Sequence, residues 1–201
     1  AKSGTKWSAP AIASITISET AALQITELMY NPVEGKAMEY IELKNASGVP
    51  VPLAGVSFTG VNFTFSDGVL EPWQSAVIIS NDDPVAFAQK YPNAKILGTF
   101  GGALSNGGEE VSLLDPDGQR ISSIRYGSQT PWPEEADGLG SSLERISLFN
   151  PEQDPTNWRA SLVPGGTPGD VLLTEINRTG DGRISVKFLA LPGNSYSLHA
   201  T

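Results

Sequence analysis

The chain has 201 residues, 39% of them hydrophobic and 17% charged, with 21 glycines, 15 prolines and no cysteine; at this length it can bury about 70% of its extended surface around one core, with no disulfide needed. The missing cysteines and a single histidine, His199, exclude thiolate metal centres, a cysteine nucleophile and most zinc or imidazole chemistry. With 22 acidic against 13 basic residues, the formal charge of -9 repels phosphate backbones and anionic lipid surfaces, which argues against a nucleic-acid partner.

The opening residues, Ala1 to Trp7, contain neither an initiator Met nor an apolar signal core, so the chain is expected to be a piece of a longer protein. Its apolar runs are short, such as Ala76 to Ile79, and none approaches the ~20 residues of a membrane helix, so membrane insertion is not expected. Short β-branched or alternating segments separated by Gly, Pro, Asn and Asp predict an all-β sandwich. The expected strands are Ile12 to Ile17, Leu23 to Met29, Met38 to Lys44, Val56 to Thr59, Asn62 to Phe65 and Ser75 to Ser80. One short helix follows: Asp83 is placed to cap it, Pro84 suits its first position, Val85 to Lys90 continue it, and Pro92 ends it. Val85 and Ala88 or Phe87 are expected to face the sheets. Strands are then expected at Lys95 to Phe100, Val111 to Leu114 and Gln119 to Tyr126, the last two joined by a turn at Asp115-Pro116-Asp117-Gly118. Later come Ser142 to Ile146, Val171 to Ile176, Arg183 to Leu189 and Ser195 to Ala200, with a turn at Gly180-Asp181-Gly182. Pro164-Gly165-Gly166-Thr167-Pro168-Gly169 excludes regular structure and marks a boundary; a weaker one lies at Ser18 to Thr20.

Ordered motifs carry a resemblance. Leu23 to Pro32 and Glu39 to Asn45, then Val51 to Val56, Gly102 to Val111, Pro131-Trp132-Pro133 and Ala136-Asp137-Gly138, and finally Asn157-Trp158-Arg159 with Pro164 to Gly169, resemble the bacterial lamin tail domain family. The resemblance implies an immunoglobulin-like β-sandwich over 20–169, without catalytic residues, in a large secreted or surface protein. It also implies neighbours of fibronectin-like or CotH-like type: 1–19 is expected to end a preceding β module and 170–201 to open another. No sustained heptad is present, so a filament rod has no support. Strands at the cut ends have too little core to stand alone and are expected to pair with each other, join the sandwich edge or exchange between copies.

Several groups invite a chemical reading. The acidic doublets Asp82-Asp83, Glu109-Glu110 and Glu134-Glu135 fall in loops or helix starts, where neighbours do not face each other across a cleft. His199 would be needed for a serine triad and is better read as a strand residue. Asn177 to Gly182 imitates the start of a calcium loop, but the twelfth position is Phe188, and a plain turn is the stronger reading. Glu27, Asn31, Glu39 and Glu42 could approach one another if the first two strands pair, giving a candidate calcium site set against a solvated acidic face near Lys44. Trp132, Tyr126 and Trp73, with Tyr91 and Tyr30, could build an aromatic platform for a glycan, or simply fill the core. Asn45, Asn62 and Asn177 begin glycosylation sequons, read as chance. The expected function is a non-catalytic structural or interaction module, outside the cell or on its surface, whose partners are protein, surface polysaccharide or neighbouring domains; no cofactor is expected unless calcium binds. The alternative is a carbohydrate- or calcium-dependent binding module.

Overall fold

Short alternating segments can bury their apolar side chains only by stacking sheets, and the computed structural model, which describes residues 22–169, 173–178 and 184–188, does this with two facing layers. In chain order the strands are β1 (Leu23–Met29), β2 (Tyr40–Asn45), β3 (Val51–Pro52), β4 (Ser57–Thr59), β5 (Val69–Leu70) and β6 (Ser75–Ser80). Helix α1 (Pro84–Lys90) follows, then β7 (Ile96–Phe100), β8 (Glu110–Leu114), β9 (Arg120–Arg125), β10 (Leu143–Arg145) and β11 (Trp158–Ala160). One layer has the order β11-β10-β1-β2-β6-β7; β4-β8-β9 and the short pair β3-β5 lie in separate ladders. Among the described residues every ladder is antiparallel except β6–β7, whose parallel pairing is allowed by the α1 crossover.

Between the layers, Leu23, Ile25, Leu28, Ile41, Leu43 and Ile78 meet Phe58, Val111, Leu113 and Ile124. The outer face of the large sheet is also covered. Met29, Tyr40, Val77 and Ile79 pack there against Phe87 of α1 and Met38, which lies in a 3-10 turn at Lys36–Met38. The central strands are therefore buried on both faces, a burial that the alternation expected for half-exposed strands does not convey. A bulge makes this possible in β1. Ile25 pairs with Leu43 and Glu27 with Glu42, so Thr26 is the extra residue; it resets the alternation and turns Leu28 inward while Glu27 points outward.

Most expected elements are present. Leu23–Met29 and Ser75–Ser80 have the expected bounds. Asp83 caps α1 by accepting from the Ala86 amide at 2.9 Å, but Phe87 faces the sheet with Ala86 half-buried, while Val85 and Ala88 are exposed. The Asp115–Gly118 turn joins β8 and β9, with Asp115 Oδ1 accepting from the amides of Asp117 and Gln119 at 3.0 and 2.8 Å. Residues 62–65 make isolated bridges, not a ladder. Strands β12 (Leu173–Arg178) and β13 (Ile184–Phe188) form the expected hairpin; its turn, Ile12 to Ile17, Ser18 to Thr20, Ser195 to Ala200 and His199 lie outside the described residues. Pro164 to Gly169 is irregular, as expected, but it is a strap laid on the sheet. At one end of the sheet, the Ala46 amide donates to the Ala22 carbonyl, and Gly169 packs beside Ala94 and Lys95.

Candidate functional site

The register of the large sheet places Glu144 of β10, Glu27 of β1 and Glu42 of β2 side by side in one row, with Arg159 of β11 next to Glu144. This corrects the picture of a solvated acidic face: Glu27, Glu42 and Lys44 are 2 to 3% exposed. Burying carboxylates costs free energy unless each oxygen finds donors. Glu27 Oε1 accepts from the Tyr40 hydroxyl at 2.6 Å, from the Thr167 amide at 2.9 Å and from the Ser142 hydroxyl. Glu42 accepts from Thr26 Oγ1 at 2.5 Å and from the Gly169 amide at 2.7 Å. Glu144 accepts from Thr167 Oγ1 at 2.8 Å and pairs with Arg159 at 2.9 Å. Lys44 donates to Ser75 Oγ at 3.2 Å.

The strap supplies three of these donors, and its Gly165 carbonyl accepts from the Tyr91 hydroxyl at 2.6 Å. Burial, and then the neighbouring Glu42 charge, push the Glu27 carboxyl up to about 8. Burial likewise pushes Glu42 up to about 7, against the donors from Thr26 and Gly169 and the Lys44 charge. The row can hold a proton and clamp a backbone, and the strap seals it from solvent.

Glu27 and Glu42 thus come together, whereas Asn31 and Glu39 go elsewhere. Asn31 Nδ2 donates to Asp137 Oδ1 at 2.7 Å, and Glu39 accepts from the Leu104 amide at 2.9 Å, with burial pushing its carboxyl up to about 7. No group of three or more His, Asp or Glu is placed to hold a metal ion among the described residues. The aromatic candidates are also divided. Tyr126 is buried against Tyr30, ring centroids 4.6 Å apart, and half-buried Trp132 packs near Gly127. Trp73 lies at the opposite end of the sheet, in the turn before β6, 40% exposed and at φ 61. Tyr91 holds the strap, and the Asn45 amide is sealed against the carbonyls of Val49, Leu70 and Glu71. Asn62 is exposed, and Asn177 has only its backbone described. Sequence reasoning did not find Glu144, Ser142, Thr167 or Gly169; the available signal was the pairing of Glu27 with Glu42, which calls for buried donors once the face is covered.

The fold and this closed row define an immunoglobulin-like β-sandwich module whose most perturbed acids serve internal contacts. The family model described as Lamin Tail Domain matches residues 16–128, more than half of the chain, and the chain belongs to that family. Residues 129–169 lie beyond the matched stretch yet add β10 and β11 to the same sheet. A comparison with curated proteins gave no match.

Proposed function

We propose that the chain is a non-catalytic structural and interaction module of a larger bacterial protein that is secreted or displayed on the cell surface, contacting protein partners or neighbouring domains of its own chain. The observation that carries this is the fate of the perturbed carboxylates. Strongly shifted acids ordinarily point to a catalytic centre; here Glu27 and Glu42 spend their oxygens on hydroxyls and on strap amides within the fold. Membership of the lamin tail domain family, a family of immunoglobulin-like modules, supports the same reading. No helix among the described residues is long and apolar enough to cross a membrane.

Exposed Trp73 favours a second reading, a carbohydrate-binding module. A tryptophan at positive φ costs about 1–2 kcal/mol relative to an ordinary backbone conformation, and here the cost is borne at a ring left partly in solvent. Titration calorimetry of the whole chain with calcium and with a panel of cell-surface polysaccharides separates the two. The module reading expects no heat beyond dilution. Polysaccharide heat that disappears in Trp73→Ala would replace it with the second reading, and calcium heat would add a cation to the ligands the module takes.

A further inference from the structure

The three-glutamate row and the strap that closes it depend on each other. Neighbouring strands lie about 4.8 Å apart, so the register sets three carboxylates next to one another with, among the described residues, a single directly paired cation, Arg159 on Glu144. We propose that the strap, residues 164–169, forms a proton-dependent latch, held on the sheet while the Glu27–Glu42 pair keeps a proton and let go when both are ionised.

The groups facing the pair come from every element around it. From β1 comes the Thr26 hydroxyl, and from β2 the Tyr40 hydroxyl and the Lys44 ammonium, which is engaged with Ser75. The β10 side gives Ser142 and Glu144, β11 gives Arg159, and the end of α1 brings Lys90 and Tyr91 to the strap. Among the described residues, the donors that reach Glu27 and Glu42 directly are all neutral hydroxyls or backbone amides. Neutral donors satisfy one charge; they do not offset two adjacent like charges away from water. Glu27, pushed up to about 8, and Glu42, to about 7, place the release on the alkaline side of neutrality.

The strap is the weakest part of this arrangement. It has no regular structure, whereas the strands bearing Glu27 and Glu42 are fixed from the inner face by Leu28, Ile41 and Leu43. Ionisation is therefore relieved by local opening that lets water reach the carboxylates, while the sandwich stays folded.

Amide hydrogen exchange on the whole chain between pH 5.5 and 9.5, corrected for the intrinsic base-catalysed rate, tests this. Protection at Thr167 and Gly169 is expected to fall roughly tenfold per pH unit above about 8, the slope of one linked proton, while β2 amides keep theirs. Glu27→Gln and Glu42→Gln should each flatten the profile. Unchanged strap protection across this range would overturn the latch, as would simultaneous loss in the strap and β2, or an undiminished slope in both variants.

Discussion

Gly166 has φ +81, and a Cβ built there would press on the Tyr40 hydroxyl, Glu27 and the Ser142 hydroxyl. Two separate demands meet at this position: a left-handed backbone, and close approach of main chain to a buried carboxylate. Gly118, in the β8–β9 turn, shares only the first, with φ +79 and open space around it. Gly118→Ala is therefore expected to cost about 1 kcal/mol through backbone strain alone, and Gly166→Ala about 3 kcal/mol because the strap must also lift. Urea unfolding of the two variants against the parent checks the ordering, and equal costs would mean that the strap contributes nothing. The turn glycine is visible in Asp115-Pro116-Asp117-Gly118, whose partners are its own neighbours. The role of Gly166 is not, because the strap it belongs to answers to residues 140 positions away, as the Thr167 amide on Glu27 illustrates. A Gly-Gly-Thr-Pro-Gly run is written the same way whether it hangs free or lies on a sheet.

Edges decide how a sheet meets other chains, since an exposed edge offers unpaired amides to any passing strand. The free side of β9 is occupied by side chains. Gln153 Nε2 donates to the Ser123 carbonyl at 2.8 Å and its Oε1 accepts from the Arg125 amide at 3.1 Å, so one carboxamide imitates a peptide unit of a neighbouring strand. Glu152 adds a bond from the Ser123 amide at 2.8 Å. Trp158 anchors this segment by donating its indole N–H to the Glu152 carbonyl at 2.8 Å. Gln153→Ala should destabilise by about 1 kcal/mol and, more tellingly, promote concentration-dependent self-association measurable by sedimentation velocity. A variant that stays monomeric at high concentration would show that β9 needs no plug. Strand identity was legible where a β-branched apolar run was bounded by polar residues, as in Ser75–Ser80. It was not legible in β3, β5 or β11, which are two or three residues long and owe their pairing to the strands beside them. At 62–65 the alternation is real, with Phe63 and Phe65 packed edge to face at 4.7 Å between exposed Asn62 and Thr64, yet only isolated bridges form.

For the molecule as a whole, three buried carboxyls, Glu27, Glu39 and Glu42, are held above the ordinary value of 4.5, at about 8, 7 and 7. A group whose folded value is raised binds its proton more tightly in the folded state, so its stabilisation is complete below about 4.5 and is lost as pH rises through 7 to 8. The net charge of -9 works in the same direction, because protonation at lower pH reduces self-repulsion. The midpoint of thermal unfolding should therefore be several degrees higher at pH 5.5 than at pH 9, and Glu27→Gln should narrow the difference. A midpoint that rises toward pH 9 would contradict the buried acids as the controlling groups. The candidate site was half legible for a matching reason: two acids opposite each other on paired strands can be counted from sequence, while the lid that buries them is a matter of three-dimensional closure.

The bond from Ala46 to Ala22 and the packing of Gly169 beside Ala94 put both ends of the sandwich at one rim of the large sheet. The segments 1–21 and 170–201 thus join it like two cords tied to the same side of a box. Tension carried between them would lift the strap first and then fall on the Leu23 end of β1 and the Ala160 end of β11, which the register places at opposite ends of the sheet, so the ladders between them would be loaded in shear along their strands.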